Sequence, residues 1–379
     1  MASDMFQSIT IEGFKSIRSI KDLPLRPINI LIGANGSGKS NFLGVFQFLK
    51  EIRARKLREY VARSGGADRI LHFGSKNTTE LLVKLEFPNR ESYEDGTKED
   101  QHYLILLNPS ADEGLFVLQE SAYYGAPPNV GSSFNNPLKL ETSSREAMII
   151  CSDQTDTWVH ESIDGIGIYH LHDTSTSATM RKIASLDDNR SLRSDGSNLA
   201  AFLYLLQERY GASYELIRKT IQQVAPFFED FLLKPLALNP DTIKLEWRHK
   251  RSDQYFDASS FSDGTLRFIA LATLFLQPVG LRPSVILVDE PELGLHPYAI
   301  ELLAAMIRQA SLETQVIVAT QSSLLLDQFK PEDILVADRV DGATTIRRLE
   351  PEPLKEWLTE YSLGQLWEKG ELEGRPGKE

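Results

Sequence analysis

The alternation of apolar and polar residues predicts mostly strands in the first third of the chain. Short apolar or alternating runs there are separated by polar turns, which is typical of strands. These runs are residues 6–11, 28–32, 81–87, 103–107 and 115–118. Apolar residues at helical spacing predict one long helix over 41–63. We therefore expect an antiparallel layer built after a first helix and followed by a loop over 124–146.

The last third of the chain alternates strands with helices. The predicted elements are helix 260–276, strand 285–288, helix 297–310, strand 315–319, helix 324–329 and strand 334–337. Such alternation is typical of a parallel sheet with crossover helices. Between the two regions, two more helices are predicted over 199–209 and 214–228. The pattern as a whole predicts an α/β protein.

Composition and charge narrow the class of protein. The 379 residues are 41% hydrophobic and 25% charged, which is ordinary for a globular chain and excludes a disordered, collagen-like or coiled-coil protein. The net charge is −12, so any contact with DNA needs a local basic patch. Cys151 is the one cysteine, and it can form neither an internal disulfide nor a zinc site alone.

The sequence contains no pattern that predicts export or membrane insertion. The first ten residues lack a basic segment followed by an apolar run. The longest apolar stretch without charges runs from Phe268 to Leu281, which is too short to span a bilayer and contains Pro278. We therefore expect a cytoplasmic protein without a membrane partner.

A glycine-rich segment lies between the strand at 28–32 and the first helix. Its sequence, Gly33–Ser40, matches the phosphate-loop pattern G-x-x-x-x-G-K-[ST]. Glycines let backbone N–H groups turn toward phosphate oxygens, and the positive end of the following helix faces the anion. We expect Lys39 to reach the β and γ phosphates and Ser40 to bind Mg²⁺. The other expected nucleotide contacts are Asn35, Gly36, Ser37, Gly38 and Asn41.

Two carboxylates follow the apolar strand at 285–288. Asp289 is expected to hold the Mg²⁺ shell, and Glu290 to orient and deprotonate the attacking water. The alternative is a solvated acidic turn after a core strand. The phosphate loop upstream favours the functional interpretation.

A short serine and glycine motif, Phe261–Arg267, precedes the acidic pair and opens an apolar helix. Ser262 and the N–H of Gly264 could bind a phosphate supplied by a second protomer. The alternative is a capped helix start without a ligand. The position of the motif between the phosphate loop and the acidic pair favours phosphate binding.

Together these motifs resemble the RecF/SMC-type branch of ABC ATPases, and most closely the compact bacterial "AAA family" ATPases related to RecF and OLD proteins. Ile11–Ile17 resembles the opening element of that family, and Pro291–Pro297 resembles its D-loop. The resemblance implies an ABC/SMC-type ATPase head, a mixed sheet with an antiparallel N-terminal layer, carrying an inserted helical arm or lid. The implied parts are 1–120 and 256–345 for the head, 121–255 for the arm and 346–379 for a tail.

The resemblance also implies a mechanism in which two heads dimerise around ATP and Mg²⁺. Ser262 and Gly264 would contact the nucleotide held by the other protomer, and hydrolysis at Glu290 would release the dimer. Lys15, in the opening element, is an implied nucleotide contact. Gln321 stands where the family usually has a switch histidine, and it cannot titrate near neutral pH. The Q-loop glutamine has no clear counterpart, although His72 lies where one could fall.

Basic and histidine clusters outside these motifs leave alternatives open. Two sets of basic residues could each be either a DNA contact or a solvated helix face. A set of histidines near Asp173 could be either a metal site or ordinary surface. The three sets are Lys50, Arg53, Arg55, Lys56, Arg58 and Arg63; Arg181, Lys182, Arg190 and Arg193; and His160, His170 and His172.

Three functions remain open from the sequence. The first is an ATP hydrolase that acts on double-stranded DNA in repair or anti-phage defence. The second is an ATP-gated sensor or scaffold that holds a separately encoded effector such as a nuclease, because the roughly 40 residues after Asp338 are too few for the nuclease domain of OLD-type relatives. The third, a transporter subunit, is disfavoured by the predicted arm.

Overall fold

The structure is a computed structural model, and it describes residues 5–91, 98–124, 138–144 and 157–372. Cys151 lies outside these residues. In chain order the strands are β1 (Ser8–Phe14), β2 (Ile17–Pro24), β3 (Ile28–Ile32), β4 (Leu81–Glu91), β5 (Lys98–Pro109), β6 (Leu115–Tyr124), β7 (Leu138–Ser144), β8 (Ile166–Tyr169), β9 (Ala184–Ser185), β10 (Phe228–Phe231), β11 (Pro235–Leu236), β12 (Asn239–Ile243), β13 (Glu246–His249), β14 (Tyr255–Asp257), β15 (Val285–Asp289), β16 (Gln315–Thr320), β17 (Ile334–Val340) and β18 (Ala343–Arg348).

The α-helices connect these strands and cover them. In chain order they are α1 (Lys39–Arg53), α2 (Leu57–Ser64), α3 (Thr157–Asp164), α4 (Leu199–Arg209), α5 (Gly211–Val224), α6 (Asp263–Leu276), α7 (Pro297–Ala310), α8 (Ser323–Leu326), α9 (Pro351–Leu354) and α10 (Leu363–Lys369). Among the described residues, no helix has both the length and the apolar character needed to cross a bilayer.

The described residues form two compact units. Those up to 166 and those from 330 onward make the first unit, and 167–329 make the second. This division does not coincide with the predicted boundaries at 120, 255 and 345. The region predicted as the arm, 121–255, is divided between the two units at residue 166.

The first unit contains the predicted antiparallel layer. Its six strands lie in the order β2-β1-β4-β5-β6-β7, and every neighbouring pair is antiparallel. Along β4, residues Leu81, Val83, Leu85 and Phe87 are buried while those between them are not, which is the period of two expected for a sheet with one covered face. The prediction of a loop over 124–146 is wrong for β7, where Leu138 and Leu140 are the only apolar residues and their alternation is too short to predict a strand.

The predicted single helix over 41–63 is in fact two helices. α1 ends at Arg53 and α2 begins at Leu57, and Arg55 between them has a φ of 59°, which a right-handed helix cannot contain. Leu57, Tyr60 and Val61 are buried and continue the helical spacing beyond the break. The break is therefore invisible in the apolar pattern.

A second group of strands in the first unit supports the phosphate loop. β17 runs parallel to β3 and antiparallel to β18. The register pairs Val336 with Ile32, the last residue before the loop. This arrangement places the start of β18 near the loop that leaves β3.

The second unit is built on parallel strands, as the alternating pattern predicts. β15 and β16 pair in parallel from Val285↔Gln315 to Asp289↔Ala319, and β8 lies on the other side of β15. Both strands are buried along almost their whole length, which explains their continuous apolar sequences. Their carboxyl ends bring residues 289–290 and 320–321 to one edge of the sheet. The predicted helical arm contains α4 and α5 but also the antiparallel sheet β11-β12-β9 and most of a second one, β10-β13-β14, whose last strand runs past residue 255.

Candidate nucleotide site

The segment Gly33–Ser40 forms a tight turn that passes directly into α1. Gly36 and Gly38 have φ values of 80° and 102°, a left-handed conformation that favours glycine. Lys39 is buried, and its Nζ donates hydrogen bonds to the carbonyl oxygens of Gly33 at 2.6 Å and Ala34 at 3.1 Å. The loop therefore curves around its own ammonium group at the positive end of a helix.

The side chain of Ser37 is a polar group of this loop that could still form a hydrogen bond. Its Oγ is buried and has no hydrogen-bond partner among the described residues. A buried hydroxyl without a partner is costly, and such groups often mark a ligand position. Asn35, Gly36 and Ser40 are exposed around it. The predicted phosphate-binding residues thus lie together on one accessible turn.

Thr344, at the start of β18, supports the loop from behind. Its Oγ1 donates to the carbonyl oxygen of Ser37 at 2.9 Å and lies 2.7 Å from the Oγ of Ser16, which accepts from Asn41 Nδ2 at 2.7 Å. A Cβ built on Gly38 would overlap the Thr344 hydroxyl, so this glycine is required both by its φ and by the close approach. No sequence motif pointed to Thr344, because it lies more than 300 residues from the loop.

Lys15 lies beside α1 rather than inside the loop. Its Nζ is 5.3 Å from the centre of the Phe14 ring and near Gly44 in α1, and burial lowers its pKa. His72 is buried, and its Nδ1 lies 2.8 Å from the carbonyl oxygen of Lys15. His72 is therefore a packed histidine that fixes the opening element, and the nucleotide contact of Lys15 stays a prediction.

In the second unit, Glu290 and Gln321 are in direct contact. Asp289 ends β15, and the N–H of Glu290 continues the ladder by donating to Ala319 at 2.8 Å. Glu290 has a φ of 43°, a conformation that is rare for residues other than glycine and is often found at functional sites. The side-chain amide of Gln321 donates to Glu290 Oε1. The structure thus joins Glu290, the predicted general base, to Gln321, the residue at the predicted switch position.

Glu292 is a site residue to which sequence reasoning assigned no role. Its Oε1 accepts hydrogen bonds from Thr320 Oγ1 at 2.5 Å and from the N–H of Gln321 at 3.4 Å. Burial raises the pKa of Glu292, and its Oε2 is buried without a partner among the described residues. A carboxylate placed two residues after Glu290 was the available signal. This side chain ties the backbone of Gln321 to the turn that carries Glu290.

The serine and glycine motif at 261–267, called the signature turn from here on, opens α6 and also has a structural explanation as a capped helix start. Ser262 is the N-cap of α6, and its Oγ accepts from the N–H of Thr265 at 3.2 Å. A Cβ built on Gly264 would overlap the carbonyl oxygen of Gly294, so the helix start and the 291–297 segment touch at this glycine. Ser262 itself is exposed and accessible to a ligand. Phosphate binding at this turn stays a prediction.

Two buried arginines hold the signature turn in place. Arg267 in α6 donates to the carbonyl oxygens of Leu171 at 3.1 Å and His172 at 2.6 Å. Arg181 forms an ion pair with Asp263 at 2.9 Å and donates to the carbonyl oxygens of residues 258 and 261. Because the Arg181 side chain is only 7% exposed, it is not a surface for DNA, contrary to one of the sequence-based alternatives.

Comparisons with known proteins bear directly on this arrangement. A family model described as "AAA ATPase domain" matches residues 5–124, and one described as "AAA domain, putative AbiEii toxin, Type IV TA system" matches residues 152–327. The "OLD nuclease" of Thermus scotoductus is 22% identical over 388 aligned positions, covering 95% of this chain and 68% of the relative. The chain is an ATPase with two matches to AAA-type domains, and it is similar to an OLD nuclease over almost its whole length.

Other similar proteins share part of the ATPase or its fold. "Urease accessory protein 2" of Cryptococcus neoformans var. grubii is 25% identical over 238 positions, covering 58% of this chain. The ATPase spans only 19% of the length of that relative. A crystal structure of an SMC head bound to the C-terminal winged-helix domain of ScpA superposes with a TM-score of 0.58 at 18% identity, covering 93% of the ATPase and 99% of that head. The predicted ATPase head fold is confirmed by this likeness.

The predicted basic residues of the ATPase differ in their exposure and in the partners that they contact. Lys50 donates to the carbonyl oxygen of Ile166 at 2.5 Å, Arg53 pairs with Asp164 at 3.0 Å and Arg63 with Glu51 at 3.0 Å. In the second set Arg193 pairs with Asp188. Arg63 and Arg193 are exposed in spite of these ion pairs, and the other exposed residues of the two sets are Arg55, Lys56, Arg58, Lys182 and Arg190. Only part of each set therefore remains a candidate for contacting DNA.

The histidines do not form a metal centre in the part of the chain that the structure describes. The rings of His170 and His172 lie 5.9 Å apart, and burial lowers the pKa of His170. No group of three or more histidine, cysteine, aspartate or glutamate side chains is placed to hold a metal ion among the described residues. The three histidines and Asp173 therefore give no support to the metal-site interpretation.

Proposed function

We propose that this ATPase binds Mg²⁺-ATP between two copies of the chain, hydrolyses it with Glu290, and couples hydrolysis to an action on DNA. Three features of the phosphate loop support nucleotide binding there: its left-handed glycines, the start of α1, and the buried Ser37 hydroxyl without a partner. A triphosphate would give Lys39 phosphate oxygens in place of the loop carbonyls. Ser40 and Asp289 would hold Mg²⁺, which neutralises phosphate charge.

The contact between Gln321 and Glu290 carries the proposal of hydrolysis. The amide holds the carboxylate in one orientation, so that its free lone pairs can take a proton from water. Because Gln321 stays neutral, it fixes Glu290 without competing for that proton. Glu292 in turn holds the backbone of Gln321. The signature residues Ser262 and Gly264 would contact the γ phosphate of the nucleotide bound by the other protomer.

Three measurements on two variants test binding, hydrolysis and dimerisation separately. Lys39→Ala should abolish nucleotide binding, and an unchanged affinity would contradict the phosphate-loop assignment. Glu290→Gln should keep ATP binding but lose hydrolysis, because the amide cannot accept the proton. Sedimentation of Glu290→Gln with saturating Mg²⁺-ATP should give a dimer, whereas a monomer under these conditions would contradict the composite site.

The action on DNA is proposed to involve the exposed basic turn after α1. Arg55 and Lys56 are exposed there, next to the helix start at Leu57. Replacing both by glutamine should weaken the binding of duplex DNA. The slope of log affinity against log salt concentration should also become shallower, by the amount expected for two lost phosphate contacts. Replacing Lys330 and Lys355 by glutamine changes the net charge equally at other exposed positions and is the control. Equal loss in both double variants would contradict a local contact.

A second function remains a candidate because of the relatives. The chain spans about two thirds of the OLD nuclease, and the SMC head of similar fold is bound to another protein. The ATPase would then be an ATP-gated scaffold for a separately encoded effector such as a nuclease. Steady-state hydrolysis with and without duplex DNA separates the two: stimulation supports a role on DNA, in repair or anti-phage defence, and indifference supports the scaffold. Either role belongs to a cytoplasmic protein, since both use ATP and DNA or DNA-directed partners.

A further inference from the structure

Phe73 is an exposed aromatic residue in a strained backbone conformation. Its side chain is 61% exposed, and its φ of 55° is rare for a bulky residue. The backbone on both sides is fixed: the N–H of His72 donates to Gly13 at 3.0 Å, and the N–H of Gly74 donates to Leu71 at 3.1 Å. The side-chain amide of Asn77 donates to the carbonyl oxygen of Phe73 at 2.8 Å. The surrounding structure therefore holds the ring in a strained and largely exposed position, where it packs against the His72 ring with the two centroids 4.3 Å apart.

The ring lies close to the supports of the phosphate loop, within the same unit. A Cβ built on Gly342 would be 3.0 Å from Phe73 Cζ, so the ring rests on the turn between β17 and β18. Two residues later, Thr344 touches the loop at Ser37 and Gly38. On the other side, His72 binds the carbonyl oxygen of Lys15, next to Ser16. Phe73 thus stands on the flank of the loop formed by residues 15–16 and 342–344.

We propose that Phe73 is the platform on which the base of a bound purine nucleotide stacks. The proposal rests on nucleotide binding at the phosphate loop. A phosphate loop recognises phosphates through backbone groups, so it leaves the base to other residues. An exposed ring beside the loop offers a base one apolar face, and aromatic stacking accepts any base because every base has a π face. Purines present the larger face, and therefore ATP and GTP should bind more tightly than CTP and UTP.

The experiment compares a nucleotide with a ligand that lacks the base. Calorimetry measures the affinities of ATP and of inorganic tripolyphosphate for the wild-type chain, Phe73→Ala and Phe73→Gly. Both variants should bind ATP about tenfold more weakly, because stacking contributes that order of affinity, and should bind tripolyphosphate as the wild type does. Phe73→Gly relieves the left-handed strain, so its folding is not in question. Trp357→Ala removes another exposed aromatic residue of the same unit and is the matched control.

Phe73→Trp adds a spectroscopic readout. It should keep the affinity for ATP, and the fluorescence of the new indole should be quenched by ATP but not by tripolyphosphate. ATP affinities of Phe73→Ala and Phe73→Gly within twofold of the wild-type value would overturn the stacking proposal while leaving nucleotide binding intact. By contrast, a wild-type chain that binds neither ligand, or a Lys39→Ala variant that binds both normally, would overturn the proposed nucleotide site itself.

Discussion

Replacing Thr320 by valine tests whether Glu292 holds the residues around Glu290 in place. The Thr320 hydroxyl is fully buried, donates to Glu292 Oε1 at 2.5 Å and accepts from the N–H of Ser322 at 2.9 Å. Valine has nearly the same shape but can do neither. A hydrogen bond to a charged group contributes about 1.5–3 kcal/mol, and the unpaired N–H adds to the loss. We therefore expect the free energy of unfolding to fall by about 2–4 kcal/mol.

Thr273→Val is the matched control for this change. Thr273 is also fully buried, but its hydroxyl donates to the neutral carbonyl oxygen of Ile269 within the same helix. Such a bond back to the preceding turn contributes little, so we expect a loss below about 1 kcal/mol. Denaturant unfolding curves of the two variants give the comparison. Equal losses would refute the argument that Glu292 needs the Thr320 hydroxyl.

The same change should also slow hydrolysis. Glu292 fixes the backbone of Gln321, whose side chain holds Glu290, so a displaced Glu292 should lower kcat by about tenfold or more, which corresponds to about 1.4 kcal/mol in the barrier. Nucleotide affinity should not change, because the phosphate loop is untouched. Thr320→Ser keeps the hydroxyl and should restore kcat. An unchanged kcat in Thr320→Val would contradict the argument that Glu292 positions the residues around Glu290.

Three further changes test other contacts. Gly264→Ala should destabilise the chain by about 1–3 kcal/mol in urea unfolding, because its Cβ would overlap Gly294, whereas Gly211→Ala meets open space and should be neutral or slightly stabilising. Gln321→Glu should abolish hydrolysis but keep ATP binding, because a second carboxylate beside Glu290 repels its charge. Burial raises the pKa of Glu292 above its ordinary 4.5, so above pH 4.5 ionisation of this carboxyl favours the unfolded chain. Glutamine does not ionise. The free energy of unfolding of Glu292→Gln relative to that of the wild type should therefore rise as the pH increases from 4.5 to the pKa of folded Glu292, and then level off.

Features encoded within a short stretch of chain could be predicted from the sequence. The phosphate loop joins a strand, a glycine turn and a helix start in one segment, and its glycines and lysine occur at the spacing that indicates phosphate binding. Asp289 and Gln321 could be placed because each comes directly at or after the end of a buried strand. The parallel pairing of those strands then followed from their alternation with helices.

Features that depend on distant contacts could not be predicted. Thr344 is an ordinary strand residue until the pairing of β17 with β3 brings it beneath Gly38. Glu292 acquires its role only from Thr320, which is 28 residues away. In the sequence, Arg181 looks like one of several surface cations. In the structure its side chain is buried and bonds to the signature turn. Local motifs therefore point to the predicted reacting residues, whereas the residues that position them depend on contacts between distant parts of the chain.

The path of the chain through its two units has a consequence for synthesis on the ribosome. Residues 167–329 are continuous, so the second unit can fold as soon as it emerges. The phosphate loop must wait, because Thr344 is made 307 residues after Ser37. At ordinary translation rates that delay is on the order of tens of seconds. During this interval the nascent chain carries a loop without its support, and we therefore expect nucleotide binding only once synthesis has passed β18.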